Sequence, residues 1–276
     1  TRADHYFGTK LRTFWRVTAY KIVSDPPNVF GNLGTPVGRG LQSVPKYSTT
    51  LNNTYTLNAT SFFEIAYGLT RFSNVLTPPS AGFNLTTLGL PEYMQAQAAK
   101  DIYSRFPRVD ILSLTSLGQQ NGAGIRFVPS AHNLAGSVTK VHGRHTIKAG
   151  LEYRKFLLNF WQESAPGGSF SYNQSWTQRN PVRGVANEGF GLASMLLGLG
   201  TGSQTNGLPL ALASSYWGGF IQDDFHVSRK LTLNIGLRYE VDLPRTERYD
   251  RMSYWDPSAA SPIAGQVPAF PNLMGA

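Results

Sequence analysis

Residues 230–243, KLTLNIGLRYEVDL, alternate between apolar and polar side chains without a break. A period of two places one set on one face of a β-strand and the other set on the opposite face. The apolar set is Leu231, Leu233, Ile235, Leu237, Tyr239 and Val241, and the polar set is Thr232, Asn234, Gly236, Arg238, Glu240 and Asp242. The stretch is about twice the usual strand length of ~5–6 residues, and a tilted strand of ~9–11 residues crosses a bilayer. The pattern predicts a strand with Leu231, Leu233, Ile235 and Leu237 facing lipid and the polar set facing water.

The same kind of strand recurs in pairs along the chain. Residues 214–227 (SSYWGGFIQDDFHV) predict a long strand that reaches residue 230 through a tight turn at 228–229. Three more hairpins are predicted at residues 2–7 with 12–22, 47–57 with 61–72, and 132–141 with 145–161. Their turns lie at 8–10, 58–59 and 142–144. In the strand from residue 145, alternation breaks at 155–156, which indicates a bulge or a change of surroundings.

Short and long connections alternate along the chain. Long connections at residues 23–45, 73–131, 162–213 and 244–276 separate the hairpins. Inside them, a short helix is predicted at 91–106, a short strand at 169–177 and an apolar helical turn at 191–199. Outer-membrane barrels have short periplasmic turns and long extracellular loops. The sequence therefore predicts an all-β fold, an antiparallel up-and-down transmembrane β-barrel wall with long extracellular loops, in preference to a soluble β-sandwich, with every tight turn on one sheet edge.

Composition narrows the classes further. The 276 residues include 28 Gly and no Cys, so neither a disulfide framework nor a thiolate site is available. No run of eighteen apolar residues predicts a transmembrane helix. The formal net charge is +9, but the basic residues are scattered, so we predict no nucleic-acid partner. Residues 1–276 are interpreted as one partial outer-membrane barrel domain, because the chain begins inside a strand pattern and ends in loop sequence.

Candidate catalytic groups are few. His142 and His145 flank a tight turn, where a polar turn at the membrane interface is a simpler explanation than a metal pair. Asp223 and Asp224 are adjacent in a strand and point to opposite faces, so they cannot act together as acid and base. We expect Asp224 on the polar side and Asp223 near the periplasmic turn. We predict no enzymatic activity, no metal and no cofactor.

The polar set supplies the candidate functional residues. We predict that six charged side chains face the lumen of the barrel: Glu152, Arg154, Asp224, Arg238, Glu240 and Asp242. They would contact a plug or a passing substrate, or they would neutralise one another across neighbouring strands. Five loop aromatics are candidate ligand contacts: Phe30, Tyr93, Trp161, Tyr172 and Trp176. Five strand aromatics are interpreted as an interfacial girdle, with substrate stacking as the alternative: Phe14, Trp15, Tyr20, Tyr216 and Trp217.

Several segments resemble the TonB-dependent receptor superfamily. They are PPNVFGN (26–32), YGLTRF (67–72), VHGRHTIKAGLEY (141–153), GSFSY (168–172), GLASMLLG (191–198), YWGGFIQDD (216–224) and LTLNIGLRY (231–239). The resemblance is to the carboxypeptidase-regulatory-like, plug-and-barrel outer-membrane receptors abundant in acidobacteria. The last two segments are the most specific, and none is a catalytic motif.

The resemblance implies a 22-stranded barrel, a plug inside it, and energy delivered through TonB. Eight or nine strands are predicted here, fewer than half of such a barrel, and no plug sequence is recognised. The expected partners are outer-membrane lipid, the plug domain and TonB of the parent protein, and a nutrient ligand. The expected function is import of a large scarce nutrient such as an oligosaccharide, a peptide or a metal chelate. The alternatives are an outer-membrane adhesion or structural protein and a soluble β-rich glycan-binding module.

Overall fold

The computed structural model describes residues 1–36, 39–180, 182–183, 185, 187–263, 266 and 274–275. Residues 37 and 38 of the predicted first loop and much of the predicted loop after residue 263 lie outside this part of the chain. The elements in the described part, in chain order, are β1 (Arg2–Phe7), β2 (Leu11–Ser24), β3 (Leu41–Asn58), β4 (Ser61–Phe72), β5 (Asn74–Thr77), α1 (Glu92–Ala98), β6 (Arg108–Ile111), β7 (Ile125–His142), β8 (His145–Gln162), β9 (Ala165–Tyr172), α2 (Gly191–Leu196), β10 (Thr201–Thr205), β11 (Leu210–Ser228), β12 (Leu231–Asp242) and β13 (Thr246–Glu247).

Ten strands form the main antiparallel sheet. Eight of them follow the order β1-β2-β3-β4-β7-β8-β11-β12, while β5 pairs with β3 and β7, and β13 pairs with β11. The tight turns occupy residues 8–10, 59–60, 143–144 and 229–230. All four lie at one edge, because Leu11 is opposite Phe7 and Tyr55, Ser61 is opposite Lys140, and His145 is opposite His142 and Phe225. Gly8 and Gly143 have positive φ, which tight hairpin turns favour. The predicted up-and-down topology is confirmed.

The sheet is open in the described part of the chain. The strands β1 and β12 are the two ends of the pairing order, and the sheet does not close into a barrel. This arrangement agrees with the predicted wall. In the part that the structure describes, no helix is long and apolar enough to span a membrane.

The middle strands continue past the predicted ends on the side of the long loops. Strands β3, β7 and β8 each have 18 residues, and β11 has 19. At the break in alternation, the pairing is continuous on both sides, with Ser215 opposite Lys155 and Ser214 opposite Phe156. The break is therefore a change of surroundings and not a bulge, because the backbone keeps its register.

Two long connections fold into a second unit, which we call the cap (residues 78–124 and 163–209). Its sheet has the order β10-β9-β6, with β6 parallel to β9 and β10 antiparallel to β9. The predicted helix at 91–106 is shorter than expected, since α1 ends at Ala98. The predicted strand at 169–177 begins earlier, as β9, and ends at Tyr172. The predicted apolar turn is α2.

The cap contains most of the buried core. Leu85 and Ala98 are fully buried there, and Trp161, at the end of β8, packs against Tyr103 with ring centroids 5.6 Å apart. A buried ion pair joins Arg105 and Glu163, whose Nε and Oε1 atoms are 3.2 Å apart. The Arg105 guanidinium also donates to the carbonyl of Gln119 at 2.5 Å and to the side chain of Asn121 at 2.8 Å. Burial raises the pKa of Glu163, and the positive charge of Arg105 opposes that shift.

Candidate functional site

The six predicted lumen residues lie on a single face of the main sheet. Residues directly opposite each other in neighbouring strands share a face, and Gly218 is opposite both Glu152 and Glu240. By the same register, Tyr216 is opposite Arg154 and Asp242, and Asp224 is opposite Asn234. We call this the polar face, and the face with Leu237 the apolar face. That the polar face lines a lumen stays a prediction.

Four of the six residues form a connected charge network. Glu152 accepts a hydrogen bond from Arg154 Nε at 2.6 Å, and its other oxygen is 3.7 Å from Arg238 Nη2. Arg238 is also paired with Glu240. Asn133 donates to Glu152 at 2.9 Å, completing the surroundings of this half-buried carboxylate. The charges of the four ionic side chains sum to zero, so they compensate one another as the neutralisation alternative expects.

Gly218 is what allows the network to span three strands. Glu152 is on β8 and Glu240 on β12, with β11 between them. A side chain at Gly218 would meet the Tyr216 hydroxyl, since an added Cβ would lie 2.7 Å from it. That hydroxyl instead accepts from Arg238 at 2.9 Å, and Arg154 lies over the Tyr216 ring at 4.8 Å from its centroid. The missing side chain leaves room for charged groups from both neighbouring strands to meet.

Tyr216 and Asn133 are the network members that sequence reasoning missed. Tyr216 was predicted as a girdle residue, and the register places it on the polar face instead. Phe14 and Tyr20 are corrected in the same way, since they lie opposite Asn52 and Lys46 of that face. The face on which these aromatic side chains lie depends on the register between neighbouring strands. The alternation within one strand does not specify that register. Asp224 and Asp242 share the polar face, but no side-chain hydrogen bond or ion pair to them occurs among the described residues.

Asp223 and Asp224 lie on opposite faces of the sheet, as predicted for adjacent strand residues. Asp223 is on the apolar face beside the turn edge, where its Oδ2 is 2.6 Å from His145 Nδ1. His145 is also stacked on Phe225, and it lies directly opposite His142 across the turn. In the described ranges, no three His, Cys, Asp or Glu side chains come close enough together to hold a metal ion.

Two of the five loop aromatics meet at a cavity of about 460 Å³ in the cap. Tyr93 precedes Met94 on α1, and Tyr172 ends β9. Phe170 and Gln204 also line the cavity, and none of its lining residues is charged. The Gln204 side chain donates to the carbonyls of Met94 and Pro166, both at 2.7 Å, which ties β10 to α1.

Glycine shapes the floor of this cavity. Gly200 and Gly202 flank the first residue of β10. A Cβ added at Gly200 would lie 2.6 Å from the Tyr172 ring, and one added at Gly202 would lie 2.9 Å from the Phe170 ring. The two rings therefore lie close to backbone that carries no side chain. Two neutral aromatic faces beside backbone polar groups can bind an uncharged ligand with apolar patches and hydroxyl or amide groups.

The remaining loop aromatics do not join this cavity. Phe30 is 39% exposed in the loop after β2, and Trp176 is 54% exposed. Trp161 is a correction, because it is only 2% exposed and packs inside the molecule. Its aromatic character and position at the end of a predicted strand suggested ligand contact, but the ring packs against Tyr103.

The match to a family model agrees with the geometry. Residues 1–274 match the family described as outer membrane beta barrel domain. Among solved structures, the outer membrane transporter YddB from Escherichia coli is similar, with a TM-score of 0.47 and 12% sequence identity over 87% of this chain and 26% of that one. This chain therefore spans about a quarter of that protein's length. No curated protein matches the sequence.

The fold and the two-faced sheet define a membrane-embedded β-barrel wall. With the match over almost its whole length, the chain belongs to the outer membrane beta barrel domain family. It is an outer-membrane protein. The soluble glycan-binding alternative is thereby overturned.

Proposed function

We propose that this chain is part of the wall of a TonB-dependent outer-membrane receptor that imports a large, scarce nutrient. In this proposal the polar face lines the lumen and contacts the plug, and the cap stands on the cell surface. The observation that carries the proposal is the position of Glu152, Arg154, Arg238 and Glu240 on the face opposite Leu237.

The reasoning starts from the cost of charge in a bilayer. A cationic side chain on the lipid face of a barrel costs roughly 2–4 kcal/mol at the midplane. The network lies on the opposite face from Leu237, at the same height in the sheet. An interior that holds water or a folded plug is where such charges are stable. Asp224 and Asp242 add negative charge to this face, which suits a plug or substrate with exposed cationic or hydrogen-bond-donating groups.

The cap cavity supports the nutrient part of the proposal. Tyr93 is 73% exposed and stands at the mouth of a cavity without charged lining residues. Such a cavity favours an uncharged nutrient, an oligosaccharide or a peptide, over an anionic metal chelate. The dependence on TonB and the presence of a plug are supported by the resemblance of the segments at 191–198, 216–224 and 231–239.

Single-cysteine labelling tests the position of the polar face. The 276 residues contain no Cys, so an introduced thiol is unique in this region. Arg238→Cys and Glu152→Cys would be compared with their neighbours Leu237→Cys and Leu151→Cys, in the full-length protein and in a plug-deleted form. We expect a membrane-impermeant maleimide to label positions 238 and 152 once the plug is removed, and positions 237 and 151 in neither form. Equal labelling at 237 and 238 would contradict a lumen-facing polar surface.

Uptake separates a receptor from an adhesin. Cells carrying the full-length protein would be given labelled neutral oligosaccharides and oligopeptides, with and without a functional TonB system. We expect accumulation inside the cell only when TonB is functional, and surface binding in both cases. Surface binding without accumulation in either strain would favour the adhesion alternative, for which the ordered cap would be the binding surface.

A further inference from the structure

The apolar face shows where the hydrocarbon layer ends on the side of the long loops. One row across the sheet contains four aromatic residues and two leucines. In the order of the strands it consists of Trp15, Leu51, Tyr67, Leu134, Tyr153 and Trp217, each directly opposite the next. The rings of Tyr153 and Trp217 are 4.3 Å apart. On β8 this row is reached at the ninth residue from the turn edge, since the strand begins at His145. Nine residues are enough to cross the bilayer, so the row matches an interfacial aromatic girdle.

Cationic side chains follow immediately beyond the aromatic row. Lys155 is directly opposite His132, and both are on the apolar face two residues beyond Tyr153 and Leu134. Arg71 is one row further, opposite Ser130. Lys155 donates to the Ser215 hydroxyl at 2.9 Å, Arg71 to the Ser130 hydroxyl at 3.2 Å, and the Tyr67 hydroxyl is 2.8 Å from His132 Nδ1.

These cations differ from those of the polar face in their partners. Arg154 and Arg238 on the polar face are paired with carboxylates. For Arg71 and Lys155, no carboxylate within ion-pair distance occurs in the described part of the chain. The acidic residue on the apolar face of β11, Asp223, is at the opposite end of the strand beside His145. Arg71 and Lys155 have serine hydroxyls as their side-chain partners in the described part of the chain, so both charges are available to an anion from outside the chain.

We propose that Arg71, His132 and Lys155 bind the phosphate group of an anionic lipid in the outer leaflet of the membrane. The three residues lie on consecutive strands, β4, β7 and β8. Neighbouring strands are about 4.8 Å apart, so the outer two backbones are separated by roughly 10 Å. To bind one phosphate above His132, the Lys155 ammonium exchanges its Ser215 partner on β11, and the Arg71 guanidinium its Ser130 partner on β7, for phosphate oxygens. The acyl chains then lie on the aliphatic rows below. The aromatic row then marks the junction of headgroup and acyl chain. This proposal requires the outer-membrane location and is independent of transport.

The test measures lipid binding by the purified full-length protein in a neutral detergent. The probe is fluorescent lipid A carrying two phosphates, with monophosphoryl lipid A and inorganic phosphate as competitors. The variants are the double change Arg71→Gln/Lys155→Gln, the charge-conserving Arg71→Lys/Lys155→Arg, and Lys140→Gln. Lys140 is a matched control, because it is on the apolar face at the turn edge, opposite Ile147. Heat-modifiable gel mobility would verify that each variant is folded.

Each basic residue near an anionic lipid surface contributes about a factor of five in binding. We therefore expect the Gln double variant to bind bisphosphorylated lipid A about twentyfold to thirtyfold more weakly. The charge-conserving variant and Lys140→Gln should stay within about twofold of the original protein. Binding should weaken with salt, and monophosphoryl lipid A should compete less well than the bisphosphorylated form. Unchanged binding in the folded Gln double variant, or an equal loss in Lys140→Gln, would overturn the proposal. If millimolar inorganic phosphate displaces the lipid, the site binds free phosphate, and the proposal of a lipid ligand is wrong.

Discussion

The wall and the cap bury their apolar side chains in different ways. In the cap, Leu85, Ala98 and Ala123 are fully buried, as expected for a unit that folds in water. In the wall, Leu237 and Tyr239 are each 73% exposed, although they belong to the most regular strand of the chain. Lipid replaces the core for these residues, so exposure does not weaken the wall. An exposed leucine in the cap would indicate an interface or an unstable site. An exposed leucine in the wall marks the stripe that faces the membrane.

The largest effect is expected for the buried ion pair of the cap. Arg105→Met would leave the Glu163 carboxylate buried without a cation, which costs about 3–5 kcal/mol. The loss should be local, so limited proteolysis should cleave the cap while heat-modifiable mobility of the wall is retained. The double variant Arg105→Met/Glu163→Leu should recover most of the protection, because no charge remains buried. If the double variant is as sensitive as the single one, the hydrogen bonds from Arg105 to the carbonyls of Gln119 and Ser164 hold the cap together instead.

A charge on the apolar face should be the most damaging change in the wall. Leu237 is opposite Ile221, midway between the turn edge and the aromatic row. Leu237→Arg should therefore cost roughly 2–4 kcal/mol in a bilayer-folding assay. Ile235→Arg should cost less, because Asp223 lies directly opposite and can pair with the new cation. The neighbouring change Arg238→Leu on the polar face is the control, and a loss as large as that of Leu237→Arg would argue against a lipid-facing stripe.

A smaller effect is expected where the wall has its own tight packing. Phe220 lies over Gly150 on the polar face, and an added Cβ would be 2.6 Å from its ring and 2.9 Å from the Gly136 carbonyl oxygen. Gly150→Ala should cost about 1–3 kcal/mol through overpacking. Gly68→Ala is the matched control on the same face, since its nearest atom would be 3.9 Å away. Urea unfolding in liposomes should separate the two variants, and equal midpoints would show that Phe220 moves aside freely.

The smallest stability effect is expected for the charge network itself. Exposed ion pairs contribute about 0–1 kcal/mol, so Arg238→Gln should change the free energy of unfolding by less than about 1 kcal/mol. We expect its effect in uptake or plug contact, measured as accumulation of the nutrient in cells. A loss of stability above about 2 kcal/mol with unchanged uptake would assign the network to the wall's structure alone.

The sequence predicted the wall well because its determinants are local. Alternation in residues 231–242 and the tight turn before them depend on neighbours within a few positions. The cap depended on pairing between distant segments, since β6 and β9 are about sixty residues apart and run parallel. No local pattern in Arg108–Ile111 or Thr201–Thr205 specifies that partner. These short strands, and the burial of Trp161, were accordingly missed.

The candidate site was predicted in part for the same reason. Period-two alternation placed Glu152, Arg154, Arg238 and Glu240 on polar positions of their own strands. Register between strands decided which of them meet, and Gly218 decided that groups two strands apart reach each other. The meeting of Tyr93 and Tyr172 needed the cap fold, so composition alone could not distinguish them from Trp161.

The extra length of the middle strands determines how far the cap stands from the cell. An 18-residue strand is about 60 Å long, and at the tilt of barrel strands it rises roughly 40 Å, compared with an apolar band about 25 Å tall. The strands β7 and β8 thus carry the cap well above the lipid surface. If the long loops face the cell exterior, as proposed above, the cap is the part of this chain that an external macromolecule such as a phage tail fibre meets first.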